Sequence, residues 1–210
     1  MTHLFDQRYW EQKWQDGAAG PPVMPVNPHV VREVGALTPG TALDAGCGVG
    51  TEAIWLASRG WRVSGADIAE EALARAAEHA AGAGLADGVR WIKADLTAWE
   101  PGTTYDLVTT HYAHAAMPQL EFYDRMASWV APGGTLLIVG HRHDEHGHGH
   151  GHGEGEPPAA ASVALADITA RLDATSWNIV TAEESERTVN HPSRGPVVLR
   201  DVVVRANRRY

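Results

Sequence analysis

The run Leu43-Asp44-Ala45-Gly46-Cys47-Gly48-Val49-Gly50 sets three glycines at alternate positions directly after a short β-rich stretch. Glycine lets the backbone approach a ligand where any Cβ would collide, so this spacing suits a loop that closes on a small molecule. Asp67, 17 residues past Gly50, extends the reading to a nucleoside. A carboxylate at the end of a second strand can accept both hydroxyls of a ribose. Asp95, in Lys93-Ala94-Asp95-Leu96, closes a third strand where its side chain can meet an adenine amino group, with Leu96 near the ring. Thr110 and His111 end a fourth strand beside the same cleft. The dinucleotide pattern GxGxxG is the main alternative. Here the third glycine follows after one residue instead of two, and Thr51 stands where that pattern takes Gly or Ala, which weakens a nicotinamide reading.

These side chains need a frame that gathers strand ends. From Thr41 onward, short β-rich runs alternate with segments of helical spacing, the signature of βαβ units around a parallel sheet. Strands are expected over 42–45, 62–66, 89–94, 106–110 and 135–139, the last entered through Pro132-Gly133-Gly134. A helix follows the glycine run, capped by Thr51 and stopped by Gly60. A second begins near Glu70 and Glu71, which complement its positive N-terminal end, and carries Leu73, Ala76, Ala77 and Ala80 on one face. Further helices are expected over 119–130 and 162–174. Two final β-rich runs, 177–182 and 197–204, should pair as an antiparallel hairpin across a long stretch containing the turn formers Asn190-His191-Pro192-Ser193-Arg194-Gly195-Pro196. The expected fold is a doubly wound α/β domain of three layers, with a seven-stranded, mostly parallel sheet ending in that hairpin.

A chain of 210 residues with 44% hydrophobic content suits one core. Its net charge of -9 opposes nucleic acid or anionic lipid as a partner. Arg205, Arg208 and Arg209 near the end read as a solvated tail. No apolar run approaches a membrane span, and the charged N-terminal segment has no signal-peptide core, so a cytoplasmic protein is expected, monomer or homodimer. The single cysteine, Cys47, forms no internal disulfide and reads as a small buried filler.

Taken together, the glycine run, Asp67, Asp95, Thr110-His111 and Pro132-Gly133-Gly134 resemble, in order and spacing over Thr41 to Gly140, the class I S-adenosylmethionine-dependent methyltransferases. The resemblance implies a Rossmann-like methyltransferase fold. It also implies S-adenosyl-L-methionine as cofactor, S-adenosyl-L-homocysteine as product and a small-molecule methyl acceptor. Carried over residue by residue, it sets the backbone of Gly46, Cys47, Gly48 and Gly50 against the methionine part, with Asp44 orienting the loop or the amino group. It sets Asp67 and Ile68 at the ribose, Asp95 and Leu96 at the adenine, and Thr110 beside the cleft. Tyr9-Trp10-Glu11-Gln12-Lys13-Trp14 with Gly17 and Asn27-Pro28 is similar to the opening of the thiopurine and tellurite-resistance methyltransferases. There an N-terminal aromatic segment lies over the cofactor, which implies that 1–40 covers the cofactor, with Trp14 touching it, and that 41–210 form the methyltransferase domain. Trp10 and Trp14 share one helical face, a spacing that core packing would explain equally well.

Methyl transfer by in-line attack needs an acceptor held along the carbon–sulfur axis more than it needs a strong base. A thiolate or chalcogen anion loses charge in the step, which a dry pocket favours. A neutral hydroxyl or amine would need a base, and His111 and His114 are the candidates by position. The Asn-Pro-Pro-Tyr motif of amide and nucleobase methylation is absent, since this strand ends Thr109-Thr110-His111-Tyr112. A soft nucleophile is therefore favoured, with oxygen and nitrogen acceptors close behind. Six histidines fall between His141 and His152, in a glycine-rich insertion over about 141–158 that reads as flexible. His146, His148, His150 and His152 could hold a divalent metal away from the chemistry, or simply be solvated. The competing functions are an NAD(P)-dependent reductase and a non-catalytic metal-binding protein on a methyltransferase fold.

Overall fold

The computed structural model describes residues 5–15, 25–142, 162–191 and 195–210. In chain order the elements are α1 (Gln7–Gln15), α2 (Pro28–Val34), β1 (Thr41–Ala45), α3 (Thr51–Ser58), β2 (Arg62–Asp67), α4 (Glu70–Gly82) and β3 (Val89–Lys93). There follow β4 (Tyr105–His111), α5 (Gln119–Ser128), β5 (Val130–Arg142), β6 (Ser162–Val163), α6 (Leu165–Ala170), β7 (Trp177–His191) and β8 (Gly195–Arg208). The sheet runs β3-β2-β1-β4-β5-β8-β7, with the short β6 pairing beside β5. β1 to β5 are parallel, and β8 joins antiparallel to β5 and to β7. The order reverses between β1 and β4, and in such sheets ligands bind beyond the strand ends at that switch.

Two-residue alternation builds both faces of the sheet. Leu43, Val108, Leu136, Ile138, Val202 and Val204 face one core with Phe122 and Met126 of α5 and Ile168 of α6. Ala42, Leu107, Leu137, Val139 and Val203 face the other, with Val30 and Val34 of α2 and Ala53 and Leu56 of α3. Central strands buried on both faces read as continuous apolar runs, as in 135–139. Three layers and the terminal hairpin agree with expectation, while β6 raises the strand count to eight.

The structure corrects several boundaries. The cap of α3 is Gly50 at φ 78°, with no side-chain cap bond, so Thr51 is already the first helical residue. α6 is short because Asp173 gathers Thr175 and Ser176 into a turn that ends the helical pattern. β7 and β8 are far longer than their apolar runs. Glu183 to Arg187 pairs in unbroken register with 199–203, Glu186 opposite Arg200, so charged residues continue the ladder where apolar content gave no strand signal. The histidines 146, 148, 150 and 152 and most of the insertion lie outside the described residues.

Candidate active site

The glycine loop leaves β1 in left-handed geometry, with φ of 75° at Gly46, 50° at Gly48 and 78° at Gly50. Two of these glycines answer to protein neighbours: a Cβ on Gly46 would collide with Ala113, and one on Gly50 with the Trp91 ring. The Gly46 and Cys47 N–H groups donate to Ala66 O at 2.8 and 3.1 Å, lashing the loop to β2. Gly48 presents its Cα to Trp14, and a Cβ there would stand 3.1 Å from the indole. Cys47 is buried beneath, and burial holds its thiol well above the usual range, with Asp67 and Asp44 adding to the shift, as suits an inert filler.

Asp67 ends β2 with both oxygens engaged: Oδ2 accepts from Gly48 N–H at 2.8 Å and Oδ1 from Ala69 N–H at 2.9 Å. Burial raises its pKa and those two N–H groups pull it back. Ile68 beside it is half-buried. Asp95 is exposed after β3, where its carboxylate accepts from the Thr97 N–H and hydroxyl at 2.9 and 2.7 Å. Leu96 packs into the core.

Asp44 is 1% exposed, and neither of its carboxylate oxygens has a hydrogen-bond partner. His111 Nδ1 stands 3.6 Å from Asp44 Oδ1, and His111 Nε2 lies 2.7 Å from the Thr109 hydroxyl. Burial opposes a charge on His111, but the Asp44 and Glu52 carboxylates outweigh it and raise the pKa. Glu52, half-buried in the first turn of α3 and not singled out by the sequence, has its pKa raised, chiefly by desolvation. His111 therefore faces the Asp44 carboxylate with Nδ1, just beyond hydrogen-bond distance, while Nε2 is engaged by Thr109. Thr110 is buried, and its hydroxyl also lacks a partner.

His114 opens a second group. Its Nδ1–H donates to Gln119 Oε1 at 3.1 Å, and burial pushes its pKa down to about 4. His141, at the exit of β5, stacks on it at 5.6 Å and is likewise pushed by burial to about 4. Phe5 packs on His114 at 5.3 Å and Tyr112 on His141 at 4.7 Å. Tyr112 is the one non-glycine residue at positive φ among the described residues. Its hydroxyl donates to Asp201 Oδ1 and accepts from Arg187 Nη2, both at 2.8 Å. Asp201, fully buried, also accepts from Arg187 Nε at 2.8 Å and faces His29 Nε2 at 3.1 Å. A lone acid within the apolar run Val202-Val203-Val204 was the available signal for Asp201, since buried carboxylates need partners.

Helix α1 spans the two groups. Trp10 Nε1–H donates to His114 O at 3.1 Å, Arg75 Nη2 donates to Trp14 O at 3.0 Å, and Glu11 accepts from the first N–H groups of α4. The residues fit a cationic nucleoside cofactor. Asp44 is a buried acceptor without a donor, Asp67 ends β2 beside the glycine loop, and Trp14 rests on Gly48 of that loop.

Fold order, glycine loop and strand-end acid are arranged as in the Rossmann-like methyltransferase fold. Residues 42–134 match the family described as Methyltransferase domain. The chain is similar to the probable thiol methyltransferase 2 of Arabidopsis thaliana, 32% identical over 143 residues, covering 65% of this chain and 62% of that protein. It therefore spans less than two thirds of that relative's length. The fold is shared with TehB from Haemophilus influenzae, at a TM-score of 0.71 and 17% identity over 97% of this chain and 67% of that one. It is also shared with magnesium protoporphyrin IX methyltransferase from Synechocystis PCC 6803, solved with bound S-adenosylmethionine, at a TM-score of 0.61 and 21% identity over 95% and 79% of the two chains. Among the described residues no helix is long and apolar enough to cross a membrane.

Proposed function

We propose that this protein transfers a methyl group from S-adenosylmethionine to a small, soft, anionic nucleophile of the thiolate type. The acceptor would lie beneath α1, between the exits of β4 and β5. The observation that carries the reading is the character of the side chains gathered there. Two neutral imidazoles, His114 and His141, stand among Phe5, Trp10 and Tyr112, with the Lys13 ammonium 4.9 Å over the Trp10 ring and Arg187 held at Tyr112. Burial first, then His114, Lys13 and Arg187, disfavour a proton on His141, while Asp201, which pairs with Arg187, favours one. A ring with a pKa of about 4 is a poor base for an alcohol or amine, whereas a thiolate arrives already deprotonated.

The cofactor supplies a methyl group activated on a positive sulfonium. The chain's part is to hold and to exclude: the glycine loop and Asp44 for the methionine end, Asp67 for the ribose, and Trp14 to keep water from the loop. Orientation of this kind can contribute roughly 7 to 11 kcal/mol of barrier lowering. The thiol named for the Arabidopsis relative supports the same acceptor class. A mass-spectrometric screen with isotopically labelled cofactor and pooled thiols, phenols, amines and chalcogen anions tests the proposal. Labelled thioethers are expected, and methylation confined to oxygen or nitrogen would refute the acceptor class.

A further inference from the structure

We propose that Asp44, Glu52 and His111 form a binding site for a borderline transition-metal dication of the Zn²⁺ class, mutually exclusive with the cofactor. One ligand atom from each of the three lies within 4.8 Å of the other two, close enough to converge on one ion with small side-chain shifts. The cluster stands on more than proximity, because both oxygens of Asp44 are buried without a hydrogen-bond partner and Oδ1 faces His111 Nδ1 at 3.6 Å.

The surroundings select the ligand atoms. His111 Nε2 lies 2.7 Å from the Thr109 hydroxyl, so a neutral ring that donates from Nε2 leaves the Nδ1 lone pair turned toward Asp44. Such outer hydrogen bonds set the tautomer and orientation of metal-bound histidines. Glu52 Oε1 accepts the Asn27 N–H at 3.0 Å, which anchors that carboxylate beside Asp44 and His111. One imidazole and two carboxylates balance a dication and match the mixed nitrogen and oxygen sets that Zn²⁺ and Co²⁺ accept, with room for exogenous ligands. The same unpartnered Asp44 is the acceptor assigned above to the cationic end of the cofactor. The exclusivity therefore rests on the methyltransferase reading, while the metal site itself does not.

Co²⁺ is the probe, because its visible absorption reports ligand geometry without turnover. The chain tested carries His146, His148, His150 and His152 replaced by alanine, so that binding to the histidine-rich run does not contribute. One Co²⁺ per chain is expected, with Glu52→Gln and His111→Gln each weakening it at least tenfold. Both variants are checked for the parental melting curve, and either one alone suffices for the comparison. S-adenosylhomocysteine should raise the apparent Kd for Co²⁺ in proportion to its concentration. Absence of binding, or Co²⁺ affinity unchanged in a folded variant, overturns the site. Co²⁺ and S-adenosylhomocysteine bound together without mutual weakening overturns the exclusivity. Co²⁺ binding as described, with no calorimetric binding of S-adenosylhomocysteine to the metal-free protein, sinks the methyltransferase reading and leaves the metal site standing.

Discussion

Glu11 caps helix α4 from 59 residues away: its carboxylate accepts the Glu70 N–H at 2.9 Å and the Glu71 N–H at 3.4 Å. The first N–H groups of a helix have no partner within it, and α4 has no side-chain cap of its own. A negative group is favoured at that positive end. The bond ties α1 to the end of β2, where Asp67 stands, so anchoring of the helix and access to the cofactor cleft are linked. Glu11→Ala should cost about 1 kcal/mol of stability, the usual value of a lost N-terminal cap. It should also speed amide exchange across α1, and exchange rates in α1 equal to the parent's would show the helix anchored elsewhere.

Trp14→Ala tests the aromatic cover. The indole is only half-buried and rests on Gly48, so little core packing is lost with it. Affinity for S-adenosylhomocysteine should fall roughly tenfold, about 1.4 kcal/mol, with a small change in melting temperature. A large drop in melting temperature at unchanged affinity would make Trp14 a packing residue.

Asp67 carries two loads. Its oxygens hold the Gly48 and Ala69 N–H groups, and the proposed cofactor placement adds the ribose to them. Asp67→Ala should therefore lose about 1 to 3 kcal/mol of stability through N–H groups left unpaired. It should also lose tenfold to several hundredfold in cofactor affinity, taking roughly 1.5 to 3 kcal/mol for each charge-assisted bond. Asp67→Asn should lose less of both, since one oxygen still accepts. Paired denaturant melts and cofactor titrations decide, and undiminished affinity in Asp67→Ala would put the ribose elsewhere.

The stacked imidazoles make a pH prediction. His114 and His141 have folded pKa values near 4, below the ordinary 6.5, because burial disfavours the charged ring. As pH falls below about 6.5 the unfolded chain takes up protons that the folded chain refuses, so stability falls with pH until the rings protonate near 4. Each ring taken alone contributes on the order of 3 kcal/mol over that window, and the pair less than the sum because the two interact. His114→Phe should flatten melting temperature against pH between 4 and 6.5, and an unchanged slope would assign the acid sensitivity to other groups.

The fold was largely legible in the chain. Apolar runs alternating with helical spacing mark β1 to β5, most plainly over 135–139 of β5, which is buried on both faces, and still through Val89, Trp91 and Ile92 in the edge strand β3. The glycine run and Asp67 declare a ligand loop through backbone geometry that local sequence dictates. The long β7–β8 ladder was not legible, because its charged residues are stabilised by pairing across strands, a partnership absent from either run alone. The same holds within the site. Asp44 and His111 could be named from their positions, but Glu52 joins them only because α3 begins directly beneath the loop. Asp201, Arg187, His29 and Tyr112 come from four separate elements and meet only in the folded sheet. Local sequence determined which backbone segments form strands, helices and a glycine loop, since those choices rest on spacing within a few residues. Tertiary structure alone decided which charges share a buried site, because desolvation and pairing depend on distances that only the packed sheet creates.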